Sequence, residues 1–339
     1  MLGISVYLTD LDIEYIDFAA ELGVKYIFTS LHIPEEDLSD LDDTLPVFLE
    51  LARKHKMSII PDISPYTFEK LGLSNNDFTG LRNLGFDTVR LDFGFEDVTL
   101  VAEISNYFQV ILNASLVDEV YLKNLLEIDF SLDNLLLMHN FYPRQDTGLN
   151  ETYFSKINET HQKYKLRTMA FVVGDKIKRL PLYEGLPTLE KHRNINPYVA
   201  GVELMIQYDI EMIFIGDNQA HRNSLNYLND FMMHKVLTVP VILDDAYASL
   251  YDNPIGIRQD ETESIIRLAI PRQADIPIVS NNSRARGNII IDNTLAGRYS
   301  GEVQIVINDL PCSSRSNNIG FVHPDYLGIL DYLNRDVKL

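Results

Sequence analysis

Apolar runs rich in β-branched and aromatic residues recur along the first two-thirds of the chain, separated by stretches of helical period. Eight strands are predicted, near residues 2–8 (LGISVYL), 26–32 (YIFTSLH), 58–64 (SIIPDIS), 88–94 (TVRLDFG), 109–115 (QVILNAS), 135–142 (LLLMHNFY), 168–174 (TMAFVVG) and 211–216 (EMIFIG). Between the first two, Ile13, Ile16, Ala20 and Leu22 fall on one helical face, with Thr9 or Asp10 available to cap the start and Gly23 to end it. After the fifth, Val120, Leu122, Leu125, Leu126 and Ile128 form a similar stripe. Strict alternation of strand and helix implies a parallel sheet. Eight such units over about 235 residues fit an α/β fold of the (β/α)8 TIM-barrel type, which typically needs about 250. No G-x-G-x-x-G turn follows the first strand, which disfavours a dinucleotide-binding sheet.

After "NDFMMHK" the texture changes. Short runs, "VLTVPVILDD", "SIIRLAI", "DIPIVS", "GNIIIDN" and "EVQIVIND", are separated by Pro, Gly, Asn and Asp, and a helix is expected at 324–334. Two domains are therefore expected, a barrel over 1–236 and a small β-rich domain over 237–339.

Composition narrows the function classes. The chain has 339 residues, 46% of them apolar, and a formal charge of −20. A core is easily filled, and disorder is disfavoured. Nucleic-acid binding needs clustered cations on a positive face, and so much negative charge also repels anionic membranes. Cys312 is the only cysteine, so neither an intrachain disulfide nor a cysteine metal cluster can form. The start, "MLGISVYLTD", lacks a basic segment and a long apolar run, and nothing approaches a membrane span, so a cytoplasmic protein is expected.

In such a barrel the active site forms at the carboxyl ends of the strands. The polar residues expected there are Thr29, Ser30, Asp62, Ser64, Arg90, Asp92, Asn113, Ser115, His139, Asn140, Tyr142, Arg144, Asp175, Asp217 and Asn218. Several also have an ordinary structural reading. Asp62 could cap a helix, Asp92 could merely neutralise Arg90, His139 could be a satisfied core histidine, and Asp217 could belong to a strand-to-helix turn. The stretch "GDKIKRLPLYEGLPTLEKHR" gathers Lys176, Lys178, Arg179, Lys191, His192 and Arg193 in an otherwise acidic chain. Loops after the seventh and eighth strands often hold phosphate in this fold, so an anionic substrate is one reading and a solvated basic loop the other.

Asp62 and Asp92, ending adjacent strands, would suit glycoside hydrolysis, in which one carboxyl protonates the leaving oxygen while the other attacks or activates water. A divalent metal held by Asp62, Asp92, His139 or Asp217 is chemically allowed, but no spacing demands one. A metal-dependent aldolase or epimerase and a non-catalytic carbohydrate-binding protein stay open beside the hydrolase.

The runs "YIFTSLHIPEED", "RLDFG", "ILNAS", "HNFYPR", "PLYEGLPTLEKHR" and "GNIIIDN…RYSGEVQIVINDLP" together resemble the bacterial MupG-type 6-phospho-N-acetylmuramidases. The resemblance covers essentially the whole chain. It implies an intracellular glycosidase that cleaves 6-phospho-N-acetylmuramic acid from N-acetylglucosamine in cell-wall sugar recycling. The implied fold is a (β/α)8 barrel carrying a small cyclophilin-like β-barrel domain. No cofactor or metal is expected, the partner is the phosphorylated amino-sugar substrate, and a homo-oligomer is left open. By position, Asp62 and Asp92 are expected as acid and base or nucleophile, with Glu190 in reserve. Arg90 would hold Asp92 ionised or bind substrate. His139, Asn140, Tyr142, Arg144, Asp175 and Asp217 would line the sugar sites, Asn113 would touch the acetamido group, and Lys191, His192 and Arg193 would meet the phosphate or lactyl carboxylate. Arg315, Asn317 and Asn318 would contact substrate if the second domain closes over the mouth. The acetamido group could itself be the nucleophile, leaving one aspartate to orient it.

Overall fold

The structure, a computed structural model, describes residues 1–31, 41–251, 255–258, 260 and 262–333. Two compact units follow one another, Met1–Asn229 and Asp230–Leu339.

In the first unit β1 (Leu2–Ser5), β2 (Tyr26–Ser30), β3 (Ser58–Ile63), β4 (Thr88–Leu91), β5 (Gln109–Asn113), β6 (Leu135–Met138), β7 (Arg167–Val172) and β8 (Met212–Ile215) form a closed parallel barrel in chain order. The ring shuts where Leu2 to Ile4 pair with Ile213 to Ile215. This is the TIM barrel that the alternation predicts. The strands are shorter than the apolar runs, because several runs continue past the last ladder bond into the loops above. β6 stops at Met138, four residues before the predicted end.

Helices α1 (Ile13–Glu21), α2 (Leu41–His55), α3 (Pro65–Lys70), α4 (Phe78–Asn83), α5 (Val98–Ile104), α6 (Glu119–Glu127), α7 (Glu151–Lys163), α8 (Pro197–Gln207) and α9 (Arg222–His234) connect the strands. Much of the acidity has a local use. Asp12, Asp77, Asp97 and Asp118 each accept a backbone N–H in the first turn of the helix that follows, and Asn150 and Asn196 do the same for α7 and α8. The cap of α1 is Asp12 rather than Thr9 or Asp10.

Inside the barrel, Tyr7, Phe28, Ile60, Ile111, Met138, Met169, Phe171, Leu186, Met212 and Phe214 make a continuous apolar layer. Gly3 makes room for it, since a Cβ there would lie 2.2 Å from the Phe214 ring. Among the described residues, no helix is long and apolar enough to cross a membrane.

The second unit holds an antiparallel sheet of β9 (Val241–Leu243), β10 (Ile265–Arg267), β11 (Asn288–Asp292), β12 (Val303–Val306) and β13 (Ser316–Val322), in the spatial order β10-β12-β11-β13-β9. Ile266, Ile289, Ile291, Val303, Ile305 and Ile319 face one core. "DIPIVS" is not a strand, and the polar-starting segment Ser316–Val322 is. The fully buried Asn317 explains both: its side chain accepts from Val279 N–H (3.2 Å) and donates to the Pro277 carbonyl (2.8 Å), stapling the extended segment to β13. The expected helix at 324–334 is a run of 3₁₀ turns over Pro324–Tyr332.

Candidate active site

Strand alternation decides which polar residues look into the barrel. Ser30, Asp62, Asn113 and Asn140 each stand two residues beyond an inner-layer residue, namely Phe28, Ile60, Ile111 and Met138. They therefore share its face, one layer nearer the carboxyl ends of the strands. Arg90 stands in register with both Asp62 on β3 and Ile111 on β5.

Arg90 is the hub of this layer. It is only 1% exposed, and its Nη1 donates to Asp62 Oδ1 at 2.5 Å. Nη2 donates to Asn140 Oδ1 at 3.0 Å, reaching across from β4 to the end of β6. Asp92 Oδ1 lies 3.9 Å from Nη1, and its side chain keeps 27% exposure. Asp62, directly opposite in the ladder, is thus the close partner of Arg90, and Asp92 sits at the rim. Burying a guanidinium that faces two carboxylates costs several kcal/mol per ion in desolvation, which the bonds to Asp62 and Asn140 offset in part.

His139 faces the other way. Its ring packs on Phe154 of α7 with centroids 4.6 Å apart, Nε2 lies 3.1 Å from Asn158 Oδ1, and Nδ1 lies 3.3 Å from Ser115 Oγ. Burial pushes its pKa down to about 3, so the imidazole is neutral, donating to Asn158 and accepting from Ser115. Ser115 Oγ in turn accepts the Asn140 N–H at 3.2 Å. The expectation that His139 lines a sugar site is therefore corrected. It lies one residue off the inward register, between barrel and helix, and supports Asn140 from behind.

The basic segment is sorted just as sharply. Glu190 accepts N–H groups from Asp146 (3.0 Å) and Gly148 (2.7 Å) and both Nε and Nη2 of Arg193 (2.6 Å each). Arg193, first among these partners, holds the carboxyl down at about 2. Arg193 also donates to the carbonyls of Gly185 (2.9 Å) and Arg144 (3.0 Å). The pair buckles the loop after β6 to the loop after β7, and Glu190 has no acceptor position left for catalysis. Lys191 is held by Glu203 of α8 and Glu151 of α7, and His192 Nε2 lies 3.3 Å from Glu203. None of the three residues expected at the phosphate is left over for an anion: Glu151 and Glu203 hold Lys191, Glu203 also faces His192, and Glu190 of the same segment holds Arg193.

Asp217, fully buried, accepts N–H groups from Gly174 (2.8 Å), Arg179 (3.0 Å) and Leu186 (3.2 Å), so it anchors the loop after β7 rather than a sugar. Asp175 accepts from His221 N–H (2.7 Å) and Ser224 Oγ (2.6 Å) at the start of α9. Asn113 Oδ1 accepts the Ser115 N–H at 3.0 Å and is half-buried at the end of β5. Tyr142 is half-buried with its hydroxyl pKa raised by burial, and Arg144 is exposed. In the second unit, Asn317 is the buried staple described above, Asn318 Oδ1 accepts the Gly320 N–H, and Arg315 is exposed ahead of β13. Among the described residues, no three His, Cys, Asp or Glu side chains converge to hold a metal ion.

One residue outside the expected set, Phe141, and two members of the basic run, Lys178 and Arg179, belong to the barrel mouth. Phe141, half-buried, stands edge-on to Phe28 and Phe171 at centroid distances of 5.8 and 5.1 Å and so tops the inner aromatic layer. Arg179 lies 3.8 Å above the ring of Tyr7, itself an inner-layer residue. Lys178 lies beside it. The aromatic inside "HNFYPR" was not separated from its neighbours by the pattern, and nothing in "DKIKR" distinguished Lys178 and Arg179 from Lys176.

Models of the N-terminal and C-terminal domains of 6-phospho-N-acetylmuramidase match residues 2–230 and 236–339. A solved structure of a conserved Enterococcus faecalis protein of unknown function is similar at 30% identity, covering 98% of this chain and 94% of that one, with a TM-score of 0.87. An uncharacterised Bacillus cereus protein is similar at 29% identity, covering 98% and 96%, with a TM-score of 0.76. The comparison with curated proteins gives no significant match.

Proposed function

The chain belongs to the 6-phospho-N-acetylmuramidase family, and we propose that it is the glycosidase which hydrolyses the bond between 6-phospho-N-acetylmuramic acid and N-acetylglucosamine. The observation that carries the chemistry is the convergence of Asp62 and Asp92 on one nitrogen of a buried Arg90. In this reading Asp92, the more exposed carboxyl, gives its proton to the leaving glycosidic oxygen and later takes one from water. Asp62, fixed by Arg90 beneath the ring, remains ionised. It either attacks the anomeric carbon or orients the acetamido group of the substrate for that attack. Phe141 offers the ring a flat apolar face, and Asn140 holds Arg90 in place.

The spacing bears on the stereochemical outcome. The sum of the two distances to Arg90 Nη1, about 6.4 Å, is the most by which the facing oxygens of Asp62 and Asp92 can be separated. Inverting pairs stand about 6.5–9.5 Å apart to admit a water, so the short reach between these two oxygens supports retention in our reading. The working place we assign is the cytoplasmic recycling of cell-wall sugars, where phosphorylated sugars are confined by their charge.

The test is incubation of the purified protein with the 6-phosphorylated muramyl disaccharide, following free N-acetylglucosamine by mass spectrometry. Release supports the proposal. A folded protein that releases none overturns it.

A further inference from the structure

We infer that Lys178 and Arg179 form the anion receptor of the barrel mouth, and that they select a phosphate ester on the far side of the sugar from the two aspartates. The inference rests on the hydrolase reading above, because it takes Asp62 and Asp92 to mark the reacting end of the substrate.

Topology sets the opposition. In a closed ring of eight strands β8 stands four places from β4, directly across the mouth. Asp62 and Asp92 end β3 and β4. Lys178 and Arg179 belong to the loop after β7, and their contacts are with residues at the ends of β7, β8 and β1. The Lys178 ammonium lies 3.7 Å from Asp217, two residues beyond β8. A Cβ placed on Gly185 would be 3.1 Å from the Lys178 nitrogen and 2.9 Å from Val173 Cγ1. Val173 stands two residues beyond the inner-layer Phe171, so that ammonium borders the barrel axis. Arg179 is stacked over Tyr7, whose hydroxyl donates to the Gly216 carbonyl at 2.7 Å just past β8.

The ion pair of Lys178 is a loose one. The oxygens of Asp217 already accept three backbone N–H groups, so they answer Lys178 at 3.7 Å without a close ion pair. Lys178 faces its carboxylate at 3.7 Å, whereas Lys191 is held closely between two glutamates and Arg193 is saturated by Glu190 and two carbonyls. Burial lowers the pKa of Lys178, and a bound phosphate would oppose that shift by favouring the charged form. Gly185, at φ +89°, fits this arrangement, because any side chain there would crowd both the ammonium and Val173.

The test measures kcat/KM for the phosphorylated and the unphosphorylated muramyl disaccharide with wild type, Lys178→Met, Lys178→Gln, Arg179→Met and, as a control for loop charge, the exposed Lys176→Met. Preference for the phosphorylated substrate is expected to fall about 10- to 100-fold in the Lys178 and Arg179 variants, the size of a lost charge-assisted hydrogen bond, and to persist in Lys176→Met. In parallel, inorganic phosphate is titrated in a thermal-shift assay, which needs no turnover. The midpoint concentration should rise about tenfold or more in the same variants. Turnover with an unchanged preference in folded Lys178 and Arg179 variants overturns the inference and leaves the hydrolase reading standing. Absence of turnover by wild type sinks the hydrolase reading. The phosphate titration then decides the inference alone, with loss of the response supporting it and an unaltered response rejecting it.

Discussion

Replacing Asp92 by Asn separates chemistry from architecture. The carboxyl lies at the rim, 27% exposed and 3.9 Å from Arg90, while Arg90 keeps its 2.5 Å bond to Asp62 and its 3.0 Å bond to Asn140. Loss of so long an ion pair costs up to about 1 kcal/mol, or roughly 2–4 °C in melting temperature for a unit of this size. Loss of a general acid costs about 10²–10⁴ in kcat, equivalent to about 3–5 kcal/mol in the barrier. Arg90→Met should behave in the opposite sense. It leaves the buried Asp62 carboxylate without its guanidinium, a loss of about 3–5 kcal/mol in stability. The assay is product release at saturating disaccharide, paired with denaturant unfolding of each variant. Asp92→Asn that retains more than about a tenth of kcat would refute its role as the acid. Asp92→Asn that unfolds would show that the carboxylate is architectural.

Other outcomes follow from the same geometry. Glu190→Gln breaks the buckle to Arg193 and should lower stability by about 2–3 kcal/mol, with kcat well below the melting temperature changed no more than about threefold; a loss of orders of magnitude would return Glu190 to the chemistry. His139 has a folded pKa of about 3 against an unfolded value near 6.5, so the unfolded chain binds the extra proton between those limits. Stability should therefore decline as pH falls below about 6.5, by up to about 1.4 kcal/mol per pH unit from this group, and urea melts of His139→Asn at pH 7, 6 and 5 should show a shallower decline. Proton NMR of the reaction in its first minutes should show the muramyl anomer with retained configuration, and an inverted first product would mean that the two aspartates do not act as a retaining pair.

The barrel was legible because each strand is an apolar run bounded by a helical stripe, a pattern that survives without knowledge of any contact. The inner and outer faces were not, because strands buried on both sides carry no alternation of polarity. His139 and Asn140 looked equivalent in "MHNF", yet one faces α7 and the other the axis. Arg90 and Asp92 looked like partners because they are two apart on one strand. The ladder register places Asp62 squarely opposite Arg90, and that register is a property of two strands together. The basic run "EKHR" read as a site because the counter-charges of Lys191 and His192, Glu151 and Glu203, are remote in sequence and meet it only after α7 and α8 pack, while Glu190 of the run itself turns onto Arg193. In the second unit, β13 was hidden by its polar start, whose Asn317 is buried by hydrogen bonds rather than by apolarity.

The most direct measurement is a crystal structure of the Asp92→Asn protein soaked with the 6-phosphorylated muramyl disaccharide. The glycosidic oxygen is expected within about 2.6–3.2 Å of the side chain at position 92, with the Asp62 carboxylate beneath the anomeric centre or hydrogen-bonded to the acetamido group. A disaccharide bound with its glycosidic bond away from both residues would contradict that expectation.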